Sequence, residues 1–249
     1  MFNNKIKELP TTLPPNLTEL NLFNNQLKTL PSSIGELANL EEVNVAGNKL
    51  MMLTDAHFER LSGITVLTLY ENNLVRLGSL APLASLEELR LSYNNLEEMP
   101  TLAGGGHPSL TVIEMHKNRV ATIPEAYFAS LPALQRLSIW GNMLTALPPS
   151  LAALTGLVGL QAHENKLESI PPSSWPATLE TLFLHDNEPL VSLPPTLVDC
   201  AALRRVNVAN LKLDEESAEV AESLKQIVLV ASEGIYWGPD GGKLVATPP

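Results

Sequence analysis

The sequence predicts an α/β solenoid, with one parallel β-sheet lining a concave face and irregular or short helical segments on the convex face. Three observations predict it. The stretch Leu134–Leu147 reads L-Q-R-L-S-I-W-G-N-M-L-T-A-L and is followed by Pro148-Pro149, so its pattern is L-x-x-L-x-L-x-x-N-x-L-x-x-L-P. Units of this pattern begin at Leu17, Leu40, Ile64, Leu86, Leu110, Leu134, Leu157, Leu179 and Leu203, in steps of 22 to 24 residues. An asparagine recurs in phase at Asn25, Asn48, Asn72, Asn94, Asn118, Asn142, Asn165 and Asn187.

Each position in the unit has a physical task. Leu137 and Ile139 are two apart, the spacing of inward side chains on a strand, whereas Arg136, Ser138 and Trp140 point to the opposite face. The asparagine follows the strand, where the chain turns inward and buries backbone groups that no strand partner reaches. An amide with two donors and an acceptor satisfies them.

In chain order, Asn4, Ile6, Leu9 and Pro10 align with the second half of a unit, so the array opens mid-repeat. Either the first strand is degenerate at Met1-Phe2, or the chain is a piece of a longer protein. Nine full units follow, giving a repeat domain over 1–213 with about ten strands. The ninth departs from the frame, with Leu211 where the asparagine is expected. The outer segments 31–40 and 148–157 should be short irregular or helical turns. In 54–61 and 124–131, Phe58 and Phe128 are placed to fill the convex side of the core. The stretch 104–108, G-G-G-H-P, reads as the loosest connection.

After Leu213 the pattern stops. Asp214 followed by Glu215-Glu216 begins a helix with an acidic cap, and Val220, Leu224 and Ile227 share one face of it. A hairpin with strands at 235–237 and 243–245 is expected next. We read 214–249 as a C-terminal cap, because an open solenoid exposes its last edge and core.

Composition narrows the partners. A net charge of -11 argues against sequence-independent binding to nucleic acid or to an anionic membrane and leaves a protein partner with a basic surface easier to accept. The chain has a single cysteine, Cys200, and no internal disulfide is possible. Extracellular repeat proteins of this kind usually close their ends with disulfide-bonded caps, so the missing pairs predict a reducing, cytoplasmic location. No apolar run is long enough to span a membrane, and the first twenty residues do not read as a signal peptide. Phosphate-loop, paired-carboxylate and Ser-His-Asp patterns are missing, and Cys200 reads as a buried structural thiol. No enzymatic activity and no cofactor are expected.

Parallel strands about 4.8 Å apart put equivalent positions of successive units in columns along the concave face. The column two residues before each asparagine reads Phe23, Ala46, Tyr70, Ser92, His116, Trp140, His163, His185 and Ala209. Rings predominate, although aromatic residues make up only 5% of the chain. Tyr93 and Phe183 lie beside them, so units three to eight should present a contiguous aromatic patch. Large amphipathic side chains on a concave sheet have the composition of a protein-recognition surface. The alternative is that neighbouring rings merely stabilise neighbouring strands. Charge on the same face is graded: Glu19, Glu42 and Glu88 lie toward one end, Arg136 and Arg205 toward the other, with Arg90 and Glu114 between. Such grading would orient a partner and affect its association rate, and a solvated face kept polar for solubility accounts for it equally well. The candidate binding residues are therefore Tyr70, Arg90, Tyr93, Glu114, His116, Arg136, Trp140, His163, Phe183 and His185. Strand spacing brings only two of the three column histidines close together, so a metal site is not expected.

Residues 4 to 213 resemble the leucine-rich repeat superfamily in this shared frame. Within them, L-P-S-S-I-G-E-L-A-N-L-E-E-V-N-V-A-G-N-K-L (30–50) looks like the intracellular Ras-group repeats of signalling scaffolds, and Gly234-Ile235-Tyr236-Trp237 is similar to a tetrapeptide that follows the repeats in the plant members. The resemblance implies a horseshoe that binds proteins through its concave sheet without enzymatic activity. The resulting expectation is a monomeric intracellular scaffold, adaptor or regulatory subunit. The alternative is the substrate-recognition domain of a larger signalling enzyme or pathogen effector.

Overall fold

In the computed structural model, which describes residues 1–102, 106–171, 175–230, 235–237 and 243–245, every full unit opens with a three-residue strand. In chain order the strands are β1 (Glu19–Asn21), β2 (Glu42–Asn44), β3 (Met52–Leu53), β4 (Val66–Thr68), β5 (Arg76–Leu77), β6 (Glu88–Arg90), β7 (Val112–Glu114), β8 (Arg136–Ser138), β9 (Gly159–Gln161), β10 (Thr181–Phe183) and β11 (Arg205–Asn207). Nine of them make one parallel sheet in the order β1-β2-β4-β6-β7-β8-β9-β10-β11, and β3 pairs with β5 outside it. The partial unit at the start adds no strand, although Asn3 and Asn4 donate their backbone N–H groups to the Phe23 and Asn24 carbonyls. The sheet therefore has nine strands where about ten were expected.

Register is uniform from end to end. The central strand residues Leu20, Val43, Leu67, Leu89, Ile113, Leu137, Leu160, Leu182 and Val206 are aligned and point inward, and each outward residue faces its counterpart in the next unit. A one-residue slip would move all of these apolar side chains to the solvent face, so burial itself pins the register.

The asparagine ladder does what an amide can do there. Asn118, for example, donates from Nδ2 to the Met115 carbonyl of its own unit and to the Leu91 carbonyl of the unit before, while its Oδ1 accepts from the Leu96 N–H, each at 3.0 Å. All eight ladder residues are buried. The residue just before each asparagine has positive φ in every unit, as at Asn24, Gly47, Glu71, Tyr93, Lys117, Gly141, Glu164 and Asp186. This left-handed residue reverses the chain so that the asparagine can turn inward.

The convex segments are short 3₁₀ turns at Ser32–Glu36, Asp55–His57, Tyr127–Ser130, Pro149–Ala153 and Pro195–Asp199. Phe58 and Phe128 are buried among the leucines, as their positions predict. At the Gly-rich connection, 104 and 105 lie outside the described residues. His107 is fully buried and donates its N–H to the Ser130 carbonyl, so the end of that stretch is anchored into the core rather than loose.

Helix α1 (Glu215–Val230) begins as its sequence suggests, with Asp214 Oδ1 accepting from the Ser217 N–H at 2.8 Å. Ser217 Oγ in turn accepts from the Leu193 N–H at 2.9 Å. Val220, Ala221 and Leu224 are buried, and the helix packs on the Pro195–Asp199 turn and on β11. Beyond it, β12 (Ile235–Trp237) and β13 (Lys243–Val245) pair antiparallel. Gly234 and the turn between the two strands lie outside the described residues, as does the side chain of Ile227.

Candidate functional site

Strand spacing and the left-handed turn together determine where the concave side chains go. Successive column residues leave the sheet at the pitch of parallel strands, which is close to the thickness of stacked rings. His116 and Trp140 stack with centroids 4.7 Å apart at 6°, Trp140 and His163 at 5.0 Å and 9°, and His163 and His185 at 4.2 Å and 13°. Four units thus contribute one continuous column of upright rings. Tyr93 meets His116 edge-on at 5.3 Å, and Phe183 meets both His163 and His185 edge-on.

The structure divides the expected patch in two. Ser92 interrupts the column, and Tyr70 leans instead toward Phe23, 6.2 Å away across the small, fully buried Ala46. Tyr93, His116, Trp140, His163, Phe183 and His185 form the second and larger group. Arg90 and Glu114 occupy aligned outward positions on β6 and β7, and Arg90 is paired with Glu88 at 2.6 Å on its own strand. Arg136 is exposed in the outermost column, in line with Val112 and Gly159.

A polar chain runs beneath the rings, and the residue pattern did not reveal it. His116 Nδ1 lies 2.8 Å from Ser92 Oγ and 3.2 Å from Ser138 Oγ, and the Ser138 hydroxyl reaches Gln161 Oε1 at 3.2 Å. This orients His116, which is buried, while its Nε2 has no hydrogen-bond partner.

A second missed feature crosses the rings on their outer side. Lys117 Nζ lies 4.5 Å from the Trp140 ring centroid and is bonded to Glu164, two units on. Gly141 stands between them with φ 63°, and a Cβ there would come within 2.8 Å of the lysine chain. All three residues occupy the left-handed column. That column reads N-G-E-Y-K-G-E-D-N along the array, and its richness in Asn, Asp and Gly is the signal that could have located it.

Burial keeps these imidazoles neutral at pH 7. It is the largest cause lowering His116 to about 4, helped by the Lys117 charge, and the largest cause lowering His163 to about 4, helped by His185. His185 is lowered by burial too, against the raising effect of Asp186 and Glu164. A stack of uncharged rings can therefore present its edges to a partner without electrostatic self-repulsion. Among the described residues no group of three or more His, Cys, Asp or Glu side chains could hold a metal ion. Cys200 is buried, and burial beside Asp199 pushes its thiol up. None of the described helices is long and apolar enough to cross a membrane.

Two family models match this chain: leucine rich repeat over 38–96 and two-copy leucine rich repeats over 15–56. Lumican of Coturnix japonica is 30% identical over 93% of this chain and 68% of its own length. The chain belongs to the leucine-rich repeat family. Repeat domains of this family generally mediate protein–protein interaction. Osteomodulin of Bos taurus is 32% identical over 70% of the chain, and the chain spans 40% of that relative. Among solved structures, YopM, a leucine-rich effector protein from Yersinia pestis, superimposes with a TM-score of 0.61 at 27% identity, over 80% of this chain and 56% of that one.

These relatives correct the expected cytoplasmic location. Lumican and osteomodulin are secreted extracellular-matrix proteoglycans, which points to an extracellular setting. The inference from Cys200 fails for a physical reason: a solenoid held by a continuous leucine core and an asparagine ladder does not need disulfides at its ends, so a single cysteine carries no information about redox compartment. The matches likewise give no support to an intracellular type or to the plant Ras-group likeness.

Proposed function

We propose that this chain is a non-enzymatic protein-interaction module, a scaffold, adaptor or regulatory subunit, that takes a protein partner on its concave face. The partner lies along the ring column at Tyr93, His116, Trp140, His163, Phe183 and His185, with Tyr70, Arg90, Glu114 and Arg136 as flanking contacts. The module acts as a monomer, its partner presents a basic surface, and 214–249 closes the C-terminal end of the array.

The observation that carries this reading is Tyr93. Its φ is 54° and it is 41% exposed, with its ring edge against buried His116. A bulky side chain in the left-handed region costs roughly 1–2 kcal/mol. The left-handed turn belongs to the frame and recurs in every unit, but it favours Asn, Asp or Gly, and neither it nor cross-strand stabilisation calls for an exposed tyrosine there. Strained positions of this kind cluster where a ligand is held.

The test is affinity capture from an extracellular-matrix extract with three versions of the chain: wild type, Trp140→Ala/His163→Ala, and a convex-face control, Glu36→Ala/Glu59→Ala, each shown to be folded by circular dichroism. The concave variant should lose the partner while the control retains it. Equal recovery on all three would overturn the proposal.

A second reading, a recognition domain of a larger signalling enzyme or of a pathogen effector, is favoured by the likeness to YopM. It uses the same concave surface.

A further inference from the structure

The ring column ends abruptly at His185. The ninth unit continues the backbone frame: Leu184 N–H donates to the Asn207 carbonyl, Asp186 N–H donates to the Ala209 carbonyl, and Asn210 repeats the left-handed turn with φ 57°. At the next column position, however, stands Ala209. The comparison with Ala46, in the same column, is informative. Ala46 is fully buried, with Phe23 and Tyr70 closing over it from both sides, whereas Ala209 is exposed, with His185 as its one column neighbour among the described residues. His185 stacks on His163 with one face, and the next column position holds the methyl group of Ala209, where the four preceding positions hold the rings of His116, Trp140, His163 and His185.

The surroundings of that position select a cation. Asp186 Oδ2 lies 3.8 Å from His185 Nε2, and Asn210 Nδ2 donates to Asp186 Oδ1 at 2.7 Å, which orients the carboxylate beside the ring. The ion pairs among the described residues give Asp186 no lysine or arginine, while neighbouring Glu164 is already held by Lys117 and Glu188 by Lys212. The chain itself shows what such a site accepts: around Trp140, a cation lies 4.5 Å from a column ring and is bonded to a carboxylate of the left-handed column.

We infer that the open end of the ring column is a subsite for an arginine side chain of the partner, its guanidinium stacked on the outer face of His185 above Ala209 and hydrogen-bonded to Asp186. A guanidinium fits better than an ammonium, because it is planar and weakly hydrated, stacks on an aromatic face and offers parallel N–H donors to a carboxylate. The net charge of -11 favours the approach of such a partner. This subsite deepens the concave-face reading and rests on it.

Two charge-matched peptides, hexa-arginine and hexa-lysine, provide the test, with binding followed through the His185 ring resonances. Wild type should bind hexa-arginine about fivefold more tightly than hexa-lysine, with the His185 shifts confined to the arginine peptide. Asp186→Asn should weaken that preference, and Ala209→Phe, which fills the position with the chain's own ring, should remove it. Equal affinity for both peptides, or a preference that survives Ala209→Phe, would overturn the inference. The concave-face reading would then still stand if Trp140→Ala/His163→Ala loses the captured partner, so the two failures are distinguishable.

Discussion

Lys117 and Glu164 form an ion pair that skips a whole repeat unit, and Gly141 is what lets it through. Both partners are partly exposed, at 38% and 43% of their side chains, so the pair itself contributes at most about 1 kcal/mol. The backbone at Gly141 is the stronger constraint. Gly141→Ala should lower unfolding stability by about 1–2 kcal/mol through its positive φ, and Glu164→Gln by less than about 1 kcal/mol. Urea midpoints of the two variants check the ranking, and a larger loss for Glu164→Gln would contradict it.

The ladder makes a sharper prediction. Asn118→Ala orphans the buried Leu96 N–H and removes one of the two amide donors at the Leu91 and Met115 carbonyls, which keep Asn94 and Asn142. At roughly 1–3 kcal/mol for one unsatisfied buried group, the loss should be about 1–3 kcal/mol. Asn118→Asp should not rescue it: the carboxylate can still accept from the Leu96 N–H, but it sets a buried negative charge against the Leu91 and Met115 carbonyl oxygens. Chemical denaturation of both variants measures this directly.

Acid should destabilise the fold through the ring column. His116 and His163 are held at about 4 in the folded chain, below the ordinary histidine value of 6.5. Between those values the unfolded chain binds more protons than the folded one, so stability is fully present above about pH 6.5 and falls as pH drops toward 4. Unfolding free energies at a series of pH values should show that slope, and His163→Gln should flatten it. An unchanged slope in the variant would assign the acid sensitivity elsewhere.

On the convex side, burial decides the outcome. Phe128 is fully buried, and Phe128→Ala should cost about 3–5 kcal/mol through lost burial and the cavity left behind. Met52, 55% exposed on β3, should tolerate Met52→Ala within about 0.5 kcal/mol. Thermal unfolding of the pair separates core from surface in these outer segments.

The frame of the molecule was legible in the sequence because it depends on residue type at fixed spacing. A leucine every second position on the strand and an asparagine after it have one low-energy arrangement, and repetition multiplies that signal. The phenylalanines at 58 and 128 could be placed for the same reason. The site was legible only as columns. That Tyr70 turns away toward Phe23, that His116 is tied down by Ser92 and Ser138, and that Lys117 reaches Glu164 all depend on side-chain directions set by the left-handed residue, whose φ no periodicity reports. Location was misread from Cys200, because the stability that disulfides would add is already supplied by burial and by amide hydrogen bonds.

The hydrogen bonds of the ladder also have a direction. Every asparagine from Asn25 to Asn187 reaches back to the unit before it and none reaches forward, as Asn48 does to Leu22 and Leu27 and Asn187 to Ala162 and Leu167. Shortening the array from its C-terminal side would therefore leave every remaining asparagine side chain fully bonded, although a backbone N–H such as that of Leu167 would lose its acceptor. Shortening it from the other side would strip the new first unit of the groups its asparagine needs. Structurally, the array is a stack with two unlike ends: cutting one leaves an asparagine short of its partners, and cutting the other leaves a single leucine N–H without its acceptor.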